Sequence, residues 1–224
     1  MNKLYGKIFN IIFIIFFGCL VNIDIANTMY IEKEIKFNLN NVSEIIKTIK
    51  KLNMKFIGSA EEKTIRYDDE NNSYSKRKKF WRLRSGFENV ITLKEDIENS
   101  EKESSVSERI ETETTVGDLE KMSYILNQLG LKEKKIMVKF RAKWQFKNAE
   151  VVIDELPFGF FLEIEGSEKE IFEVACLLNL DINKKITGTY WTEFDNYKNN
   201  HTVIDKYNII FPKDYIYKLP NLLK

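Results

Sequence analysis

Apolar residues recur along this chain with two periods, and the period changes several times. Residues 42–54 place Ile45, Ile46, Ile49 and Leu52 on one helical stripe with Ser43 near the start as a candidate cap. Residues 117–129 repeat the pattern with Leu119, Met122, Ile125, Leu126 and Leu129 before Gly130, and residues 169–180 carry Ile171, Phe172, Ala175 and Leu178. Each stretch predicts an amphipathic helix that packs its stripe on a sheet. Between them, residues 30–38, 56–68, 80–85, 89–95, 108–115, 134–146, 150–155 and 160–165 alternate with the period of two that marks a strand. Eight strands and three helices predict an α+β fold. Residues 95–107 are charged and contain almost no apolar side chain, which predicts a mobile loop between strands. Residues 199–224 have no clear periodicity and predict no element.

The polar faces of the strands carry more information than the apolar ones. Glu32, Glu34 and Lys36 alternate with Ile31, Ile35 and Phe37; Arg82 and Arg84 alternate with Trp81 and Leu83; Lys94 follows Leu93. Glu111 and Glu113 follow Ile110, Lys139, Arg141 and Lys143 alternate with Val138, Phe140, Ala142 and Trp144, Asp154 follows Ile153, and Glu163 and Glu165 alternate with Leu162 and Ile164. A single polar strand face is usually a solvated surface. Here the apolar faces need the helices as cover, so the charged faces must converge inward. That predicts an eight-stranded antiparallel β-barrel with a polar lumen and amphipathic helices packed outside. Enclosed charge costs several kcal/mol per ion unless it is paired, hydrated or liganded. Clustered carboxylates suit Mg2+ or Mn2+, and lysine and arginine suit phosphate oxygens.

Composition narrows the alternatives. The 224 residues are 43% hydrophobic, enough for one sizeable core, and 35 Lys+Arg nearly cancel 34 Asp+Glu, so net charge indicates no nucleic-acid partner. The two cysteines, Cys19 and Cys176, have no metal-type spacing, and the one histidine, His201, lies in a polar stretch near the C-terminus. Residues 1–28 form a separate apolar segment in which Lys3 and Lys7 precede a run suited to a signal-peptide core. Two readings stand for it: a signal or anchor giving membrane association through residues 8–26, or a start placed upstream of Met29, with the protein in the cytoplasm.

Glu32-x-Glu34-x-Lys36 resembles the E-x-E-x-K motif of the CYTH superfamily, the triphosphate tunnel metalloenzymes, which includes thiamine triphosphatases, inorganic triphosphatases and CyaB-type adenylate cyclases. Further elements follow in the family's order: Tyr67-Asp68, Arg82-x-Arg84, Thr92-Leu93-Lys94, Arg109-Ile110-Glu111-Thr112-Glu113, Lys139-x-Arg141, Asp154, Gly159 through Glu165, and Tyr190. The resemblance covers residues 29–199 and leaves 200–224 as a tail. It implies that Glu32, Glu34, Asp154, Glu163 and Glu165, with Glu111 or Glu113, hold metal ions, and that Lys36, Arg82, Arg84, Lys94, Lys139 and Arg141 hold phosphates. For Arg109, Glu113 and Lys143 an ordinary surface role stands equally. Tyr67 and Lys94 are the candidate general bases. The implied function is metal-dependent hydrolysis of a small triphosphate compound such as tripolyphosphate, thiamine triphosphate or ATP. One alternative is an adenylate cyclase, which Ile186-Thr187-Gly188-Thr189-Tyr190-Trp191 resembles although a His-Phe pair before the first motif is missing. Another is a non-catalytic polyphosphate or nucleotide-binding module.

Overall fold

The computed structural model of the chain describes residues 30–97 and 106–224. The readings of residues 1–28 and of most of the 95–107 loop therefore lie outside the described residues. In chain order the elements are β1 (Tyr30–Leu39), α1 (Val42–Lys51), β2 (Lys55–Asp68), α2 (Ser73–Lys76), β3 (Lys79–Ser85), β4 (Val90–Asp96) and β5 (Ser107–Thr115). There follow α3 (Leu119–Gln128), β6 (Lys132–Phe146), β7 (Ala149–Leu156), β8 (Gly159–Glu165), α4 (Glu168–Leu177), a 3-10 turn (Ile182–Lys184), α5 (Tyr190–Lys198) and α6 (Leu219–Leu223).

The strands close on themselves in the order β1-β5-β4-β3-β2-β6-β7-β8, as the alternation predicts. Their outward side chains form two apolar layers. Ile35, Phe37, Ala142, Trp144, Val151, Ile153, Leu162 and Ile164 pack under Ile46 and Ile49 of α1 and Ile171, Val174 and Ala175 of α4. Tyr67 and Leu83 pack with Leu126 of α3, Val116 and Leu131. The three expected helices thus cover the barrel where their stripes require. Asn41, Asp118 and Ser167 cap them through side-chain oxygens that accept first-turn amide hydrogens, and Ser167 and Glu170 complete a capping box.

Two features exceed the sequence expectation. α5 has mixed aromatic and charged residues and gave no helical stripe, yet Thr189 caps it and it buries Tyr190 and Phe194. Those rings pack on Met137 and Phe161, which stand in the inward register with Lys139 and Glu163, so α5 stops one end of the bore. The tail is also ordered onto the barrel. Ile209 donates its amide to Ile136 and accepts from Val138, forming a parallel bridge beside β6, and buried Leu219 joins the main core. Glu155, 1% exposed on the outer face of β7, anchors the tail by accepting from the Tyr215 hydroxyl at 2.8 Å and from the amides of Lys218 and Leu219 at 2.9 and 2.7 Å.

Candidate functional site

Charged side chains from strands that are not neighbours in the sheet meet across the interior, which a flat sheet could not allow. Lys94 on β4 reaches Glu32 on β1 at 2.7 Å, and Arg82 on β3 reaches Glu113 on β5 at 3.3 Å. Arg141 on β6 reaches Glu163 on β8 at 2.5 Å. Each pair skips an intervening strand, so the pairs define one lumen. It brings together Glu32, Glu34, Lys36, Arg82, Arg84, Lys94, Glu111, Glu113, Lys139, Arg141, Asp154, Glu163 and Glu165.

Asp154 is the best-satisfied acid. It is fully buried and accepts from Lys139 Nζ at 3.0 Å, Arg141 Nε and Nη2 at 2.7 and 2.5 Å, and the Tyr190 hydroxyl at 2.7 Å. Lys36 completes this group, 2.7 Å from Glu163, with the Tyr190 ring over its ammonium. Burial disfavours the charged form of Glu163, but Lys36 and Arg141 outweigh it and hold its carboxyl well below the ordinary range. Toward Arg82 the pairing thins. Glu113 takes Arg82, Arg84 at 3.5 Å and the Thr92 hydroxyl at 2.6 Å. Lys94 lies between Glu32 and Glu111.

Charge is sorted between walls. Glu165 pairs in register with Glu34 and Glu150, and its carboxylate makes no hydrogen bond or ion pair among the described residues. Burial, followed by Glu32, Glu150 and Glu34, pushes its carboxyl up to about 7. On β4, burial and then the Arg82 guanidinium bring Lys94 down to about 8, against the pull of Glu32 and Glu34. One wall thus carries excess negative charge and the other excess positive charge. The first suits a hard cation and the second an anion rich in oxygen. Among the described residues no three carboxylates are already gathered as a metal-holding group. The donors nevertheless fit such an ion in kind, all being carboxylate oxygens, and in charge, since a cation would relieve the crowding at Glu165.

Two sequence readings need revision. Tyr67 does not enter the bore: it is buried on the outer face of β2, where its hydroxyl donates to Ser123 Oγ of α3 at 3.0 Å and Glu133 at 3.2 Å. Its parity is that of Ile65, and the lumen belongs to the opposite parity. The lumen also contains Glu62, which was not anticipated. This carboxyl is 2% exposed and faces Lys139 at 3.5 Å and Arg141 at 3.6 Å. Burial raises it, but Arg141 and Lys139 together bring it down to about 2. Glu61-Glu62-Lys63 resembles a solvated run; parity with Thr64 and Arg66 was the available signal. Gly86 makes room for it, because a Cβ there would lie 2.6 Å from Glu62 Cγ.

Comparison with known proteins agrees with this architecture. The chain is 30% identical over 173 residues to a Methanocaldococcus jannaschii protein named "Putative adenylate cyclase MJ0240", covering 71% of this chain and 96% of that one. The solved PH1012 protein of Pyrococcus horikoshii superposes with a TM-score of 0.59 at 26% identity, over 71% of this chain and 96% of that one. A Hippeastrum protein described as "Putative adenylyl cyclase HpAC1" with "a dominant triphophatase activity" shares the fold, with a TM-score of 0.53 at 16% identity over 77% and 98% of the two chains. The sequence model of the CYTH domain matches residues 30–187, so the chain belongs to the CYTH domain family.

Proposed function

We propose that this protein hydrolyses a small triphosphate compound with the help of a divalent metal ion, Mg2+ or Mn2+. The observation that carries the reading is the division of charge in the lumen, where the Glu165 carboxylate stands in register with Glu34 and Glu150 on one side and Arg82 and Arg84 converge on Glu113 on the other. A metal-chelated triphosphate supplies what each wall lacks: positive charge beside Glu34 and Glu165, and negative charge beside Arg82 and Arg84, which share Glu113.

Glu32, Glu34 and Glu165 would hold the metal, which when bound supplies Lewis-acid polarisation of phosphoryl oxygens. Lys36, Lys139 and Arg141, fixed by Asp154 and Glu163, form the deep cationic position; Arg82 and Arg84 form the next. Phosphoryl transfer asks mainly for positioning and charge stabilisation, and these side chains are organised for it by ion pairs and buried hydrogen bonds. Lys94, the remaining candidate base, holds an amine near the pKa at which it can take a proton from an attacking water.

Cyclisation of ATP is the second reading, and the 30%-identical relative named as an adenylate cyclase favours it. The name alone does not decide, since the Hippeastrum protein carries a cyclase name and a dominant triphosphatase activity together. The test is to incubate the full chain with tripolyphosphate, thiamine triphosphate or ATP, with Mg2+ or Mn2+, and identify products by phosphorus NMR. Phosphate release supports hydrolysis, cyclic AMP with pyrophosphate supports cyclisation, and no product with any of the three overturns both.

A further inference from the structure

Glu62 is a lumen acid that the ion-pair network does not require. It lies directly across from Lys139 in the β2–β6 register and is 2% exposed. The cations beside it are already matched at shorter range, Lys139 by Asp154 at 3.0 Å and Arg141 by Asp154 and Glu163, each at 2.5 Å. Glu62 stands farther off, at 3.5 and 3.6 Å, and its Oε2 makes no hydrogen bond among the described residues. The neighbouring Glu61 takes the ordinary course for an acid on this strand: it faces outward and accepts the Tyr217 hydroxyl at 2.7 Å.

A buried acceptor without a hydrogen bond lowers stability. Here it also lowers the hold on phosphate. Lys36, Lys139 and Arg141 face Asp154 and Glu163, which leaves one positive charge in excess, and Glu62 cancels it. Against the effect of burial, Arg141 and Lys139 hold the Glu62 carboxyl down to about 2, so it only accepts hydrogen bonds. A carboxylate repels phosphate oxygens, so its oxygen calls for a group that carries hydrogen. In the proposed hydrolysis that group is the attacking water. A loose transition state asks for water to be aimed more than deprotonated, and a weakly basic acceptor suffices for that.

We infer that Glu62 accepts a hydrogen bond from the attacking water and so aims its oxygen at the terminal phosphorus beside Arg141 and Lys139. The inference rests on the reading of the lumen as a triphosphate site. The water oxygen bonds to that phosphorus while the bridging P–O bond breaks, its electron pair leaving with the departing phosphate chain. One water proton goes to Lys94, the base proposed above; the hydrogen held by Glu62 stays on the product phosphate.

Two measurements on the full chain decide it: steady-state turnover of tripolyphosphate, thiamine triphosphate or ATP with Mg2+, and calorimetric binding of tripolyphosphate in EDTA. Glu62→Gln should turn over at least about tenfold more slowly, as loss of one hydrogen bond to a charged group implies. The same variant should hold tripolyphosphate about threefold more tightly, because a repelling charge is gone. Loss of a merely structural contact weakens binding and turnover together, so that pairing overturns the inference, as does turnover within about threefold of wild type. Glu62→Asp keeps the charge and withdraws the oxygens, so it should slow turnover about tenfold and leave binding within about twofold. It decides the matter if the glutamine variant fails to fold, and wild-type turnover in it overturns the inference. Cyclic AMP as the product overturns it too, since no water then attacks. Wild-type hydrolysis that Glu62→Gln leaves untouched removes the inference alone; a wild type inert toward all three compounds removes the triphosphate reading with it.

Discussion

Replacing Glu165 with glutamine should make the metal-free protein more stable at pH 8 and change little at pH 5. Glu165 faces Glu34 and Glu150 in register, and burial with its acidic neighbours lifts its pKa from 4.5 to about 7. Between those values the folded chain binds the proton more tightly than the unfolded chain, so stability falls as pH rises from 4.5 through 7. At 1.36 kcal/mol per pH unit the full cost at pH 8 is about 3 kcal/mol, and residual solvent contact reduces it to roughly 2. Glutamine keeps the shape and removes the charge. Urea unfolding in EDTA should show Glu165→Gln about 2 kcal/mol more stable at pH 8, and less than ~1 kcal/mol so at pH 5. Mg2+ should then stabilise wild type more than the variant, because only wild type has the complete acid wall. A variant less stable at pH 8, or displaced equally at both pH values, refutes the crowding argument.

Asp154→Asn should destabilise by about 3–5 kcal/mol in the same assay, because Lys139 and Arg141 lose a buried counter-charge; a change below ~1 kcal/mol would mean that the network is not coupled. Tyr67→Phe loses two hydrogen bonds outside the lumen, so it should cost about 1 kcal/mol and leave phosphate release within about twofold of wild type. A large loss of turnover without unfolding would return Tyr67 to the site. If Lys94 accepts the proton, the rate should rise with pH to a limb near 8, and Lys94→Arg should abolish that limb rather than move it slightly.

The barrel was legible because alternation is a strict geometric rule: charge at positions 32, 34 and 36 must share a face, and repeating that on many strands leaves only a closed ring with a charged interior. The helices over it were legible for the same reason at period 3.6. What escaped shows the limits of the rule. Tyr67 stands next to Asp68 in the motif, yet its own parity sends it outward under α3. Glu62 sits in a run of charges that resembles surface until the register with Lys139 is known. α5 presents Tyr190 to Asp154 from a segment with no clean apolar stripe, and Glu155 became a tail anchor through partners about sixty residues away. Such contacts arise from tertiary packing, which local periodicity does not encode.

The most direct test of the central claim is titration of tripolyphosphate into the full chain with Mg2+, repeated for Arg84→Gln and after chelation by EDTA. One site per chain is expected, weakened at least tenfold by either the substitution or the chelator. Binding that is unmoved by both, or that has no defined stoichiometry, would contradict a metal-chelated triphosphate held within the barrel.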